Sequence, residues 1–271
     1  MTESIHAPHP AGPAVANLLT RGYLAFGQPA GTRQRWLATP TGTVTAILNL
    51  GAAFGGLPGS FVAGLTDTHG VVDQSGPIEC FDLKLTPLGA YTLLGVPMGE
   101  LANQVVDLRD LLPGVGALTE RLANTPGWAD RVRLLDAYLT DRAERGPRPA
   151  PELTFALRRL TETHGRCGVG ALAGAVGWSR RHLVSRFRQQ VGLAPKTLAR
   201  VLRFEQLLRR LPAGGAGRFT ELALACGYYD QAHMNRDFRE FAGTTPTGYL
   251  ARVVPAGTEV TSVQYSWVSA A

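Results

Sequence analysis

Cysteine is scarce: Cys80, Cys167 and Cys226 are the three the chain has. Odd in number and far apart, they offer neither a disulfide framework nor the paired spacing of a tetrahedral zinc site, and they read as small buried hydrophobes. Long apolar runs are missing too. The longest, VTAILNLGAAFGGL at 44–57, is too short and too broken by glycine to span a bilayer, and the opening MTESIHAPHP lacks the basic start and apolar stretch of a secretory signal. These absences argue against a disulfide-stapled secreted scaffold and a membrane protein, and make the cytoplasm the expected compartment.

Catalytic signatures are equally thin. Ser60, His69 and Asp73 are the residue types of acyl transfer, but no G-x-S-x-G elbow surrounds any serine, so they read as loop residues. GVGALAGAVG at 168–177 mimics a dinucleotide fingerprint, yet TETHGRC precedes it where a strand is required, and the next acidic residue is the distant Glu205. Small residues for tight helix packing explain it better. His164 and Cys167 have a ligand-like spacing without a second pair. Cys80 shares one side of an alternating strand with Asp82 and Lys84, and nothing there marks a reactive thiol. No cofactor, metal site or catalytic residue is expected.

What is present is an uneven charge. The net of +6 hides a front part, residues 1–151, with 11 Lys+Arg against 13 Asp+Glu, and a following part, residues 152–252, with 16 against 7. An excess of cations confined to about a hundred residues points to a polyanionic partner for that part. GPRPAP at 146–151 cannot continue a helix and falls where the charge changes sign, so the domain boundary is placed there. Upstream, TVTAILNL (43–50), SFVAGLT (60–66) and IECFDLKLT (78–86) read as a small antiparallel sheet. Helices are expected over 87–95, 99–105, 117–124 and 128–145, the last with Trp128, Val132, Leu135 and Leu139 at helical spacing. The first forty residues, rich in Pro and Gly, are expected to be only partly ordered. The fold class is therefore an α+β N-terminal domain over 1–146, an all-α domain over 152–252 and an extended tail over 253–271, with a strand or arm at 258–268.

The all-α part contains one unit twice. Leu172, Ala173, Gly177, Trp178, Phe187, Gly192 and Pro195 recur as Leu222, Ala223, Gly227, Tyr228, Phe238, Gly243 and Pro246, the second copy having Tyr229 as an extra turn residue. Each copy is a small-residue helix, a glycine where positive φ ends it, a capping residue (Ser179 or Asp230) and a second helix. Leu183 and Phe187, or Met234 and Phe238, pin that second helix inward at i and i+4. The opposite face then carries Arg180, Arg181, Val184, Ser185 and Arg188 in the first copy, and Gln231, Ala232, Asn235, Arg236 and Arg239 in the second. Such side chains donate to phosphates or pair with base edges, as a helix in a major groove must. His182 and His233 take equivalent places after the caps and read as cap or core residues. Between the copies, LARVLRFEQLLRRL at 198–211 belongs to a helix expected to begin just after Pro195, whose roughly seventeen residues would measure about 25 Å, a stiff spacer for two successive groove segments about 34 Å apart.

Residues 152–252 resemble the DNA-binding domain of the AraC/XylS family of transcriptional regulators, through LAGAVGWSRRHLVSRFRQQVGLAP, LRFEQLLRRL and GYYDQAHMNRDFREFAGTTPTGYL. The resemblance implies that Arg181, Val184, Ser185, Gln231, Ala232, Asn235 and Arg236 face base edges, and that Asp230, His233, Phe238, Gly243, Pro246 and Tyr249 form a structural signature. Ala232 stands where many relatives have serine, Met234 where phenylalanine is usual, and Ser185 where arginine is frequent. LKLTPLGAYTLLGVPMGELANQVVDL at 83–108 resembles the sensor halves of less characterised members, which implies ligand sensing, dimerisation or both. The implied partners are promoter double-stranded DNA, a small-molecule effector, a second copy of the chain and RNA polymerase. The alternative is a DNA-binding protein whose front half is an enzyme or a purely structural dimerisation module.

Overall fold

A computed structural model describes residues 5–28, 33–51, 56–211 and 219–253. Six strands lie side by side in one antiparallel sheet: β1 (Ile5–His9), β2 (Tyr23–Gln28), β7 (Ile78–Leu85), β4 (Val44–Asn49), β5 (Phe61–Ala63) and β8 (Val105–Asp107). The remaining two, β3 (Arg33–Ala38) and β6 (Gly70–Ser75), pair as a separate antiparallel ribbon. The two-residue period gives the larger sheet two faces. Ala25, Val44, Ala46, Leu48, Val62, Phe81 and Leu83 are buried in the core shared with the helices. Leu24, Phe26, Thr45, Ile47, Asp82 and Lys84 line a cavity of about 460 Å³ whose wall also includes Leu37, Ala38, Val71 and Val72 of the ribbon.

The front helices follow the sheet. α1 (Pro87–Leu94) starts where Thr86 Oγ1 accepts the Gly89 amide at 3.0 Å, with Pro87 in the first turn, where a missing donor costs nothing. α2 (Leu108–Leu111), α3 (Val115–Asn124) and α4 (Trp128–Arg145) complete the layer. Trp128 meets Phe81 edge-on at 5.1 Å, and Leu135 and Leu139 are buried. Asp136 Oδ1 accepts both the Tyr23 hydroxyl and the Gly12 amide at 2.7 Å; burial, joined by this carboxylate, holds the Tyr23 hydroxyl far above the ordinary phenol range.

Two expectations about the front half are corrected. The first forty residues contribute β1, β2 and β3. Pro8 is tolerated because β1 is an edge strand, paired on the β2 side alone. The helix expected over 99–105 is instead a 3₁₀ turn at Met98–Glu100 followed by β8. Asn103 stands at φ +58°, a left-handed conformation that ends a helix, and its amide is committed to the preceding loop: Oδ1 accepts Thr66 Oγ1 and the Asp67 amide, while Nδ2 donates to Asp67 Oδ1. The arm expected at 258–268 lies outside the described residues.

From Pro151 onward the described chain is helical: α5 (Pro151–Glu162), α6 (Val169–Ala175), α7 (Arg180–Gln190), α8 (Pro195–Arg210), α9 (Phe219–Ala225), α10 (Gln231–Ala242) and α11 (Pro246–Val253). One apolar cluster runs from Val15 and Leu19 through the sheet and into all of these helices, reaching Tyr249 and Leu250 of α11. The two parts also meet at polar points. The Gly42 amide donates to Glu205 Oε2 at 3.1 Å, and the Ala150 amide to Gln190 Oε1 at 3.1 Å. His69 Nδ1 donates to the Glu240 carbonyl at 3.3 Å, a role the carbonyl imposes because it can only accept. Among the described residues no helix is long and apolar enough to cross a membrane.

Candidate nucleic-acid interface

The two copies of the repeated unit close and cap their turns in the same way. Gly177 and Gly227 stand at φ +69° and +82°, and the next amides, of Trp178 and Tyr228, donate back to the carbonyls of Ala173 and Ala223 at 3.0 and 2.9 Å. These bonds close α6 and α9 and turn the chain toward the second helix of each pair. Ser179 Oγ accepts the His182 amide at 3.2 Å; Asp230 Oδ1 accepts the His233 amide at 2.7 Å. The imidazoles then pack edge-on against the turn aromatics, His182 on Trp178 at 4.5 Å and His233 on Tyr228 at 5.3 Å. Both histidines thus serve the turn.

Leu183, Phe187, Met234 and Phe238 each have no exposed surface. Phe238 is further held by Phe204 of α8 at 5.2 Å and by Tyr249 of α11 at 5.5 Å, so the second unit, the spacer and the last helix share one aromatic knot. The helix rotation this imposes decides what faces solvent. On α7, Arg180, Arg181, Ser185 and Arg188 are exposed and Val184 half-buried. On α10, Ala232, Arg236 and Arg239 are exposed, while Asn235 and Gln231 are half-buried, Gln231 Oε1 accepting Thr220 Oγ1 at 3.0 Å. All ten residues singled out from the sequence therefore retain access to solvent.

Electrostatics favour an anion at both faces. α7 has no acidic residue. α10 has two, Asp237 and Glu240, and Arg200 of α8 engages both: Nη2 lies 2.7 Å from Asp237 Oδ1 and 2.5 Å from Glu240 Oε2. Hydrogen bonding to Arg200 holds the Glu240 carboxyl below its ordinary range, and the guanidinium sits 4.9 Å over the Phe241 ring. The single guanidinium offsets one of the two charges; Asp237 is buried, Glu240 stays exposed on the spacer side, and Arg236 and Arg239 are the exposed cations of the helix. Sequence reasoning missed Arg200: the spacer also carries Arg203, Arg209 and Arg210, and nothing local marks the one that reaches α10.

The ends of α7 and α10 abut the front half. The Gly99 backbone approaches the Arg188 carbonyl closely enough that a β-carbon there would lie 3.0 Å from it, and Gly192 is equally close to Met98. At α10, Gly243 terminates the helix at φ +64° directly under the His69 ring. His69 also lines the 460 Å³ cavity, so one side chain touches both the cavity and the end of the second exposed helix.

Ser60 Oγ accepts the Asn49 amide at 3.0 Å and His69 is engaged as above, while Asp73 lies in β6. Cys80 and Cys226 are buried, but Cys167 is half-buried, a departure from the expectation that all three are core hydrophobes. Burial pushes the Cys80 thiol well above the usual range, away from reactivity. Among the described residues no group of three His, Cys, Asp or Glu side chains is arranged to hold a metal.

Comparison with known families and structures bears on the repeated units. Residues 172–252 match the family described as a helix-turn-helix domain, a span that contains both copies. No curated protein matches the chain. Among solved structures, it is similar to the C-terminal domain of AraT, a response regulator from Geobacillus stearothermophilus, at 19% identity over 44% of this chain and 100% of that one, TM-score 0.37. A transcriptional regulator with an AraC-type DNA-binding domain from Chromobacterium violaceum is 26% identical over 40% of this chain and 96% of that one, TM-score 0.34. ToxT from Vibrio cholerae O395 is 10% identical over 87% of this chain and 98% of that one, TM-score 0.43.

Proposed function

We propose that this chain, a transcriptional regulator of the AraC/XylS type whose helix-turn-helix domain covers residues 172–252, docks α7 and α10 in successive major-groove segments of promoter DNA and changes that docking when an effector occupies its front half. The observation that carries the reading is the paired geometry: two turns closed and capped alike, each followed by a helix that presents exposed arginines. Arg180, Arg188 and Arg239, at the margins of the two faces, anchor phosphates. Arg181, Val184, Ser185, Gln231, Ala232, Asn235 and Arg236 meet base edges. α8, sixteen residues and about 24 Å long, sets the distance between the units.

In this reading residues 1–146 are the sensor and dimerisation domain, 152–252 the DNA-binding domain and 253–271 a tail. The effector enters the cavity between the six-stranded sheet and the β3–β6 ribbon, which is of small-molecule size. His69 supports the coupling, because its ring belongs to that cavity and rests on the end of α10. Docking itself needs neither a second copy of the chain nor RNA polymerase, the other partners that the resemblance implies.

The test is Arg236→Ala in the full chain, with affinity measured by fluorescence anisotropy on a selected cognate duplex and on random duplex at one salt concentration. A base-reading Arg236 costs about 1–3 kcal/mol on the cognate site and little on random DNA. Equal losses on both would reduce Arg236 to a phosphate contact.

A further inference from the structure

Within the cavity between the sheet and the ribbon, the geometry points to an effector that is uncharged, largely apolar and equipped with one hydrogen-bond donor, a hydroxyl above all, which Asp82 Oδ1 accepts. This deepens the effector reading above and rests on it.

The registers place the polar group at the centre of an apolar floor. Asp82 stands opposite Leu24 on one side and Ile47 on the other; Cys80, two residues back, stands opposite Phe26. Lys84, two residues on, stands opposite Thr45. All of these side chains share the face turned to the cavity. A charged pair in such a floor is exceptional, since ordinary alternation would have put apolar residues there.

Asp82 and Lys84 are both more than nine-tenths buried. Lys84 Nζ donates to Thr45 Oγ1 at 2.6 Å and lies 3.5 Å from Asp82 Oδ1, an ion-pair distance. Apart from this ammonium, which stands too far off for a well-formed hydrogen bond, Asp82 Oδ1 meets no donor among the described residues. A buried carboxylate oxygen whose one donor is this distant is poorly satisfied, and a ligand that brings a closer donor lowers that cost. The charge count then selects the class. The carboxylate and the ammonium already cancel, so an anionic head would be set against Asp82, and a cationic head against Lys84. A neutral hydroxyl disturbs neither. Phe26, Ile47 and Phe61 supply the apolar walls for the rest of the molecule.

The experiment uses three probes with one apolar body: 4-pentylphenol, pentylbenzene and 4-pentylbenzoate, titrated into the full chain by calorimetry. The phenol is expected to bind about ten-fold or more tightly than the hydrocarbon, with the benzoate weaker than the phenol. The double variant Asp82→Leu, Lys84→Met replaces the pair by apolar residues of similar volume, a change folds commonly tolerate; it is expected to abolish the phenol's advantage while the hydrocarbon still binds. Three equal affinities, or a benzoate that binds most tightly, would overturn the ligand class and leave the cavity as an effector site. Failure of all three to bind would overturn the effector cavity itself. The ranking in the unmodified chain decides the matter even where the double variant does not fold.

Discussion

Gly177 and Gly243 hold nearly the same backbone conformation, φ +69° and +64°, in different surroundings. Around Gly177 a β-carbon would meet nothing within 4 Å, whereas at Gly243 it would run into the His69 ring. Gly177→Ala therefore isolates the conformational term, about 1–2 kcal/mol for an L-residue in the left-handed region. Gly243→Ala carries that term and must also displace His69, ending its bond to the Glu240 carbonyl, which adds about 0.5–1.5 kcal/mol. Urea unfolding of the two variants measures the difference, and repeating Gly243→Ala in a His69→Ala background should remove the excess. Equal costs at the two glycines would show that His69 is not held there. Gly177 is readable in the sequence as a helix terminator, because the helix ends there and the capping Ser179 follows; Gly243 is legible only as the repeat counterpart of Gly192 and as part of the family signature. The second duty of Gly243, as a seat for a loop about 170 residues earlier, has no local signature.

At the scale of elements, α10 depends on a partner in another helix. Asp237 is 1% exposed and relies on Arg200, so Arg200→Met strands a buried carboxylate and should cost about 3–5 kcal/mol near neutral pH. The pH dependence separates this from lost packing. Arg200 holds the Glu240 carboxyl below its ordinary range, so that contribution is complete above the glutamate range and disappears as pH falls through the lowered value. Chemical unfolding across the acid range should show this acid-side loss in the unmodified chain and not in Arg200→Met; parallel profiles would mean that Arg200 acts through its apolar stem alone. The same distinction between local and distant causes explains which elements the sequence announced. α1, α3, α4, α7, α8 and α10 have apolar spacing and, for several, a cap within a few residues, and all of them are readable. β1, β3 and β8 are not, since a strand of edge or ribbon type draws its stability from a partner far along the chain, and Pro8 counts against a strand until the edge position is known. The polar floor of the cavity was half visible, as Cys80, Asp82 and Lys84 on one side of an alternating strand; that this side faces a cavity depended on the β3–β6 ribbon.

For the whole molecule, the joins between the halves fall at the ends of α7 and α10: Gly99 against the Arg188 carbonyl, and His69 against Glu240 and Gly243. Glu205, in the spacer that separates the helices, is itself bonded to Gly42 of the front half. A DNA-binding domain braced at three such points cannot freely alter the distance and phase between its two reading faces. Phase matters because one inserted base pair rotates the second groove segment by about 34° relative to the first. The braced chain should therefore discriminate sharply against a cognate site lengthened by one base pair between its two segments. Removing one brace with His69→Ala lets α10 adjust, so the affinity ratio between the native and the lengthened site should fall by a factor of about two to ten, the worth of one hydrogen bond. Fluorescence anisotropy on the two duplexes reads that ratio directly. Unchanged discrimination in His69→Ala would mean that α8 and its aromatic knot alone fix the spacing, and that the cavity wall has no hold on the second reading face through this histidine.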